Sequence, residues 1–159
     1  MTETNKINGH CSGRREHRIF AFQVLYSLPF YASGKAVDLE DTFDIFAETS
    51  GIAREKENNF AWALVSGVLE HSDRLDEIIG EYSRNWKLGR IARVELSIIR
   101  LAVFEILCRH DIPNKVTLNE AVEIAKKFGD EHSKNFINGI LDAVAKDMQN
   151  GKLGICPRH

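Results

Sequence analysis

The chain has 159 residues, 43% of them hydrophobic, a formal net charge of -2 and three cysteines. That length suits one domain, able to bury roughly 70% of the surface its unfolded chain exposes, with no need of disulfides or metals. The near-neutral balance excludes a strongly cationic nucleic-acid binder. Cys11, Cys108 and Cys156, odd in number and far apart, argue against a disulfide framework and for a reducing compartment.

The polar start MTETNKINGHCSG has no signal-peptide core. No window approaches the length of a membrane span, so a cytoplasmic protein without membrane contact is expected. Residues 1–13 read as a loose tail. A first helix is predicted from Ser12–Arg14, with Phe20, Val24, Leu25 and Leu28 at helical spacing, ended by Pro29 and the stretch 31–35. A short acidic helix follows, with Leu39, Phe43 and Phe46 inward and Gly51 as its stop. Five acidic residues and no basic one fall between Asp38 and Glu48.

The next helix is expected to start near Ala53 and run to residue 70, burying Phe60, Leu64 and Val68 with Trp62 and Val65. Ser72–Asp73 should cap a fourth helix carrying Leu75, Ile78 and Ile79, and Trp86–Gly89 reads as a connector. Residues 91–108 are apolar nearly all round, the mark of a central helix. Asp111-Ile112-Pro113 ends that helix, because proline biases the residue before it away from helix. Thr117-x-x-Glu120 is expected to open the next one as a capping box, with Gly129 as its end. A last helix should run from Glu131 to Met148, leaving 149–159 as a tail. No useful β-alternation or repeat occurs. The prediction is an all-α protein of six to seven helices with its helical domain at 14–148.

Few residues suggest chemistry. No Glu has His three residues later, as a helical di-iron site requires. Cys156-x-x-His159 and His10-Cys11 lie in tails at non-motif spacing. There is no P-loop, no G-x-S-x-G and no G-x-G-x-x-G. No enzyme activity, catalytic residue, metal or cofactor is therefore expected.

Arg14, Arg15 and Arg18 stand out instead. Arg14 and Arg18 share a helix face with Arg15 adjacent, and guanidiniums there suit phosphate. An ordinary solvated helix start would read the same way. Phe136, at the margin of the apolar stripe Ile137, Ile140, Leu141 and Val144 and near Lys134, could stack an unpaired base. It could equally be an edge-of-core ring. Gly139, inside a helix at a cost of about 1 kcal/mol against Ala, suggests a neighbour packed closely, with Asn138 bonding the facing backbone. Glu95, Arg100 and Glu105 interrupt the central helix. Glu105 is placed to pair with Arg109, and bundle ion pairs or partner recognition both account for the three.

Taken together these residues resemble the NusB family. The likeness spans roughly residues 14 to 145. It rests on Arg14-Arg15 with Arg18, Leu25-Tyr26, Ile99-Arg100-Leu101, Phe104-Glu105, Asp111-Ile112-Pro113, Asn119-Glu120-Ala121-Val122 with Ala125-Lys126, and Phe136 with Asn138-Gly139 and Leu141-Asp142. The resemblance implies two packed helical subdomains and a transcription antitermination factor. Such a factor pairs with the ribosomal protein NusE and binds boxA, a single-stranded element of ribosomal RNA leaders, joining other Nus factors on RNA polymerase. It implies RNA contacts at Arg14, Arg15, Arg18 and Phe136, beside which Lys134 is expected to bind RNA too, and partner contacts, to NusE or the RNA, at Tyr26 and Glu95. Glu16 departs from the family's basic segment. His17 would partly restore positive charge there below about pH 6.5. Three alternatives stay open: a NusB-like domain related to ribosomal RNA cytosine methyltransferases, a helical interaction module without RNA function, and a homodimer that masks the RNA face.

Overall fold

The computed structural model describes residues 13–28, 38–83 and 87–153. The expected N-terminal tail up to residue 12, the break at Pro29 and 31–35, Trp86 and the end of the C-terminal tail lie outside them. Among the described residues there are seven α-helices, one 3-10 turn over Leu88–Arg90, and no strand. The chain divides into two compact units, Met1–Ser66 and Gly67–His159.

In the first unit, α1 spans Arg14–Ser27 and α2 spans Leu39–Ser50. Asp38 caps α2 by accepting the Asp41 N–H at 3.2 Å, satisfying an amide that has no partner within the helix. Gly51 closes α2 with φ +77°, in the left-handed region that a residue without Cβ adopts at least cost. The core of this unit is aromatic. Phe43 is fully buried and meets Phe20 edge-on at 4.9 Å and Trp62 at 5.2 Å. Lys56 lies 5.0 Å from the centre of the Phe43 ring and reaches Asp44 at 2.5 Å. That hydrogen bond holds the Asp44 carboxyl below its usual range.

Helix α3 (Phe60–Glu70) begins seven residues later than expected from Ala53. The cause is local. Asn58 takes a left-handed φ of +56°, and Asn59 acts as a cap: its Oδ1 accepts the Trp62 N–H at 3.1 Å, while its amide donates to the carbonyls of Ala53 and Glu55 at 2.8 Å each. Asparagine side chains compete with helix for backbone partners. The buried residues of α3 include Leu64, Val65 and Val68, whereas Phe60 and Trp62 are half-exposed.

In the second unit, α4 (Ser72–Tyr82) buries Leu75, Ile78 and Ile79. Its N-cap position is His71, with no side-chain cap bond, rather than the expected Ser72–Asp73. Helix α5 (Arg93–Cys108) is buried without a break from Leu96 to Leu107. It packs against α4, α6 (Asn114–Phe128) and α7 (Ser133–Gln149), and α6 packs against α7. Tyr82 Oη donates to Asp147 Oδ2 at 2.5 Å, joining α4 to α7. Burial, and then that bond, push the Tyr82 pKa up to about 12.

The turn around Pro113 departs from expectation. Helix α6 starts at Asn114, so Thr117 lies inside the first turn and is buried, and its hydroxyl makes no hydrogen bond. The capping box with Glu120 therefore does not form. Pro113 supplies the extended residue before the helix (φ -61°, ψ 139°), four positions before Thr117. Arg109 closes its fork on Asp111 at 3.0 and 2.9 Å. The Asp111 bond, and then the charges of Asp111 and Glu105, push the Arg109 pKa up. No described helix is long and apolar enough to cross a membrane.

Candidate nucleic-acid interface

The structure divides the three arginines of α1. Arg14 and Arg15 are exposed, whereas Arg18 retains only 3% of its surface. Spacing accounts for this. Arg18, Ala21, Phe22 and Leu25 are related by three, four and seven positions and lie on the buried side of the helix. Arg14 and Arg18 do share a face, since both guanidiniums lie over the Phe60 ring, 4.7 and 5.2 Å from its centre. Residues 14 to 18 thus present two solvent-facing cations, with a third drawn into the protein.

His17 behaves differently from expectation. Its Nδ1 accepts the Ala61 N–H at 3.1 Å, filling a backbone donor in the first turn of α3. Burial lowers its pKa below 6.5, and the nearby Glu16 charge opposes this only in part. Any positive charge His17 restores beside Glu16 therefore comes at lower pH than an ordinary histidine would give. The sign for stability follows. Below 6.5 the unfolded chain takes up the proton before the folded one, so His17 costs stability as the medium becomes acidic.

In the second unit, Lys134 is exposed and Phe136 half-buried on the first turn of α7. That turn is tied down from two sides. Asp130 Oδ1 accepts the N–H groups of His132 and Ser133 at 2.8 and 3.0 Å, which holds its carboxyl below the usual range. Ser133 Oγ donates to Glu95 Oε1 at 2.8 Å. Glu95 of α5 thus meets the turn carrying Lys134 and Phe136. Tyr26, in the first unit, is 40% exposed near the end of α1, with its ring 6.0 Å from that of Phe22.

Asn138 and Gly139 overturn the packing expectation. Both are exposed, and a Cβ added at Gly139 would meet nothing within 4 Å. No neighbour among the described residues exploits the missing side chain. Gly139→Ala should therefore raise stability by about 0.5–1 kcal/mol through helix propensity alone. Thermal denaturation would show a rise of a few degrees, and a fall would mean that the glycine serves the fold.

Among the described residues no group of three or more His, Cys, Asp or Glu could hold a metal ion. The pieces His10-Cys11 and Cys156 with His159 lie outside them. Sequence reading missed Phe60 as part of this surface, because its link to Arg14 crosses between helices and leaves no trace in local spacing.

Comparison with known proteins accords with this picture. The NusB family model matches residues 15–146. The transcription antitermination protein NusB of Desulfovibrio desulfuricans is 44% identical over 155 residues, with 93% of each chain covered. That of Geobacter sulfurreducens is 48% identical over 135 residues, covering 85% of this chain and 95% of the relative. Among solved structures, Thermotoga maritima NusB superposes with a TM-score of 0.74 at 34% identity, over 89% of this chain and 99% of that one. A chain from a crystal structure of the antitermination factors NusB and NusE in complex with dsRNA gives a TM-score of 0.69 at 27% identity, over 84% and 96%. The family match over most of the length, the helical fold and the exposed arginines of α1 agree, and the chain belongs to the NusB family.

Proposed function

We propose that this chain is a transcription antitermination factor, a binding protein rather than an enzyme. It takes up single-stranded boxA RNA together with NusE and joins other Nus factors on RNA polymerase in the cytoplasm. The observation that carries this reading is the pair of solvent-facing guanidiniums, Arg14 and Arg15, at the start of α1 in a NusB-family chain. A solved complex of NusB and NusE with dsRNA supports RNA and NusE as partners.

The helical domain at 14–148 holds the contacts. Arg14 and Arg15 bind backbone phosphates, and Arg18 steadies that end of α1 from beneath. Phe136 stacks a base and Lys134 adds charge beside it. Tyr26 and Glu95 take part in meeting NusE or the RNA. A protein of net charge -2 with two exposed arginines at one helix start has a modest electrostatic hold on RNA. A second protein that extends the surface would raise affinity while adding little to the footprint on this one.

The test is binding to a labelled boxA-like RNA and a scrambled control, with and without NusE, across a salt series. Tight, sequence-dependent binding that needs NusE is expected. Arg14→Ala with Arg15→Ala should weaken it on the order of ten- to a hundredfold. The salt dependence should flatten by about 0.7 for each phosphate no longer neutralised. An unchanged slope would remove the arginines from the interface. Equal weak binding to both RNAs, indifferent to NusE, would leave a helical interaction module.

A further inference from the structure

The arginine exposed at the start of α1 does not stand alone. Arg14, His17 and Arg18, at positions i, i+3 and i+4, converge on the first two residues of α3. Arg14 and Arg18 lie over the Phe60 ring at 4.7 and 5.2 Å, the His17 ring stands 6.3 Å from it at 46°, and His17 Nδ1 accepts the Ala61 N–H. Phe60 is itself held in place. The Asn59 cap fixes the turn before it through three hydrogen bonds. The ring is half-exposed, so it lies at the edge of the core, facing the arginines.

An exposed arginine samples many rotamers, and fixing one of them opposes the binding of phosphate. A ring beneath the guanidinium restricts that freedom before the ligand arrives, because the π face attracts the cation while the N–H edges remain able to donate. The Phe60 ring stands in that position beneath Arg14, the more N-terminal of the two exposed arginines.

We propose that Phe60 is a positioning residue for RNA binding: its ring pre-orders the Arg14 guanidinium so that phosphate meets a fixed donor fork. This rests on the RNA-binding reading above. Phe60 touches no RNA itself and acts through Arg14.

Phe60→Leu keeps an apolar side chain and removes the π face. It should weaken binding of the boxA-like RNA, with NusE present, by about three- to fivefold. The salt slope should stay nearly unchanged, because the number of phosphates neutralised is the same. Phe60→Tyr should restore wild-type affinity. The deciding arm is a double-mutant cycle. In an Arg14→Ala background, Phe60→Leu should have no further effect on affinity. An equal loss in both backgrounds, or no loss in either, overturns the proposal. Should Phe60→Leu perturb the fold, ¹⁵N relaxation of the Arg14 Nε–H in Phe60→Tyr and wild type gives the second readout. An order parameter as low as that of an unrestrained arginine overturns the proposal. Failure of the underlying reading looks different: wild type itself would show no sequence-dependent RNA binding, while the Arg14 Nε–H signal would still report an ordered guanidinium.

Discussion

Replacing Asp76 by alanine should destabilise the second unit by about 2–4 kcal/mol, because it leaves a buried guanidinium without its carboxylate. Arg100 lies in the uninterrupted buried stretch of α5 with 5% of its side chain exposed. It meets Asp76 of α4 through two parallel bonds, Nε to Oδ1 at 2.7 Å and Nη2 to Oδ2 at 2.9 Å. This two-pronged geometry is the strong form of the pair. Asp76 keeps 27% exposure, so water offsets part of the loss, which keeps the effect below that for a fully enclosed pair. Urea unfolding of Asp76→Ala should show the shift in midpoint. Arg100→Leu with Asp76→Leu should cost less than either single change, since removing both charges leaves nothing to desolvate. A stability within about 0.5 kcal/mol of wild type for Asp76→Ala, the spread of neutral surface changes, would mean that Arg100 relies on other partners.

Gly67→Ala should be nearly as damaging, at about 2–3 kcal/mol, even though alanine is the better helix former. A Cβ at Gly67 would come within 2.8 Å of three carbons of the Phe104 ring. That ring is 6% exposed and stacked on His71 at 6.0 Å, so it has little room to retreat. Opening space should reverse the effect: Gly67→Ala with Phe104→Leu should recover much of the loss, measured by thermal unfolding. Gly67 and Gly139 make a pair of opposites. Both sit inside helices, one with its missing side chain filled by a ring and the other facing open space. The same substitution should therefore change stability in opposite directions.

Local patterns were legible where one residue type has one physical consequence. Gly51 and Gly129 stop their helices, Asp111–Pro113 separates α5 from α6, and the apolar run of α5 marks the most buried helix. Boundaries set by competing signals were not. Thr117-x-x-Glu120 has the spacing of a capping box, but Pro113 started the helix first. The run from Ala53 to Asn59 has helical composition up to its two asparagines, which turn the chain instead.

The candidate site shows the same division. The cluster at Arg14, Arg15 and Arg18 was visible as a cluster. The burial of Arg18 could have been read from its register with Phe22 and Leu25. The bond between His17 and Ala61, and the ring of Phe60 under Arg14, join residues more than forty positions apart in sequence. No periodicity records such a pairing.

The unbroken burial of α5 also has a consequence in time. Twelve consecutive residues, Leu96 to Leu107, are enclosed by α4, α6 and α7. Their amide hydrogens cannot meet water through fraying or through the departure of one neighbouring helix. They should be the last in the chain to exchange with deuterium, at a rate set by opening of the whole second unit, while the first turns of α1 and α7 exchange early. The first turn of α7, which carries Lys134 and Phe136, would then be a quick-opening margin of that slowly opening unit.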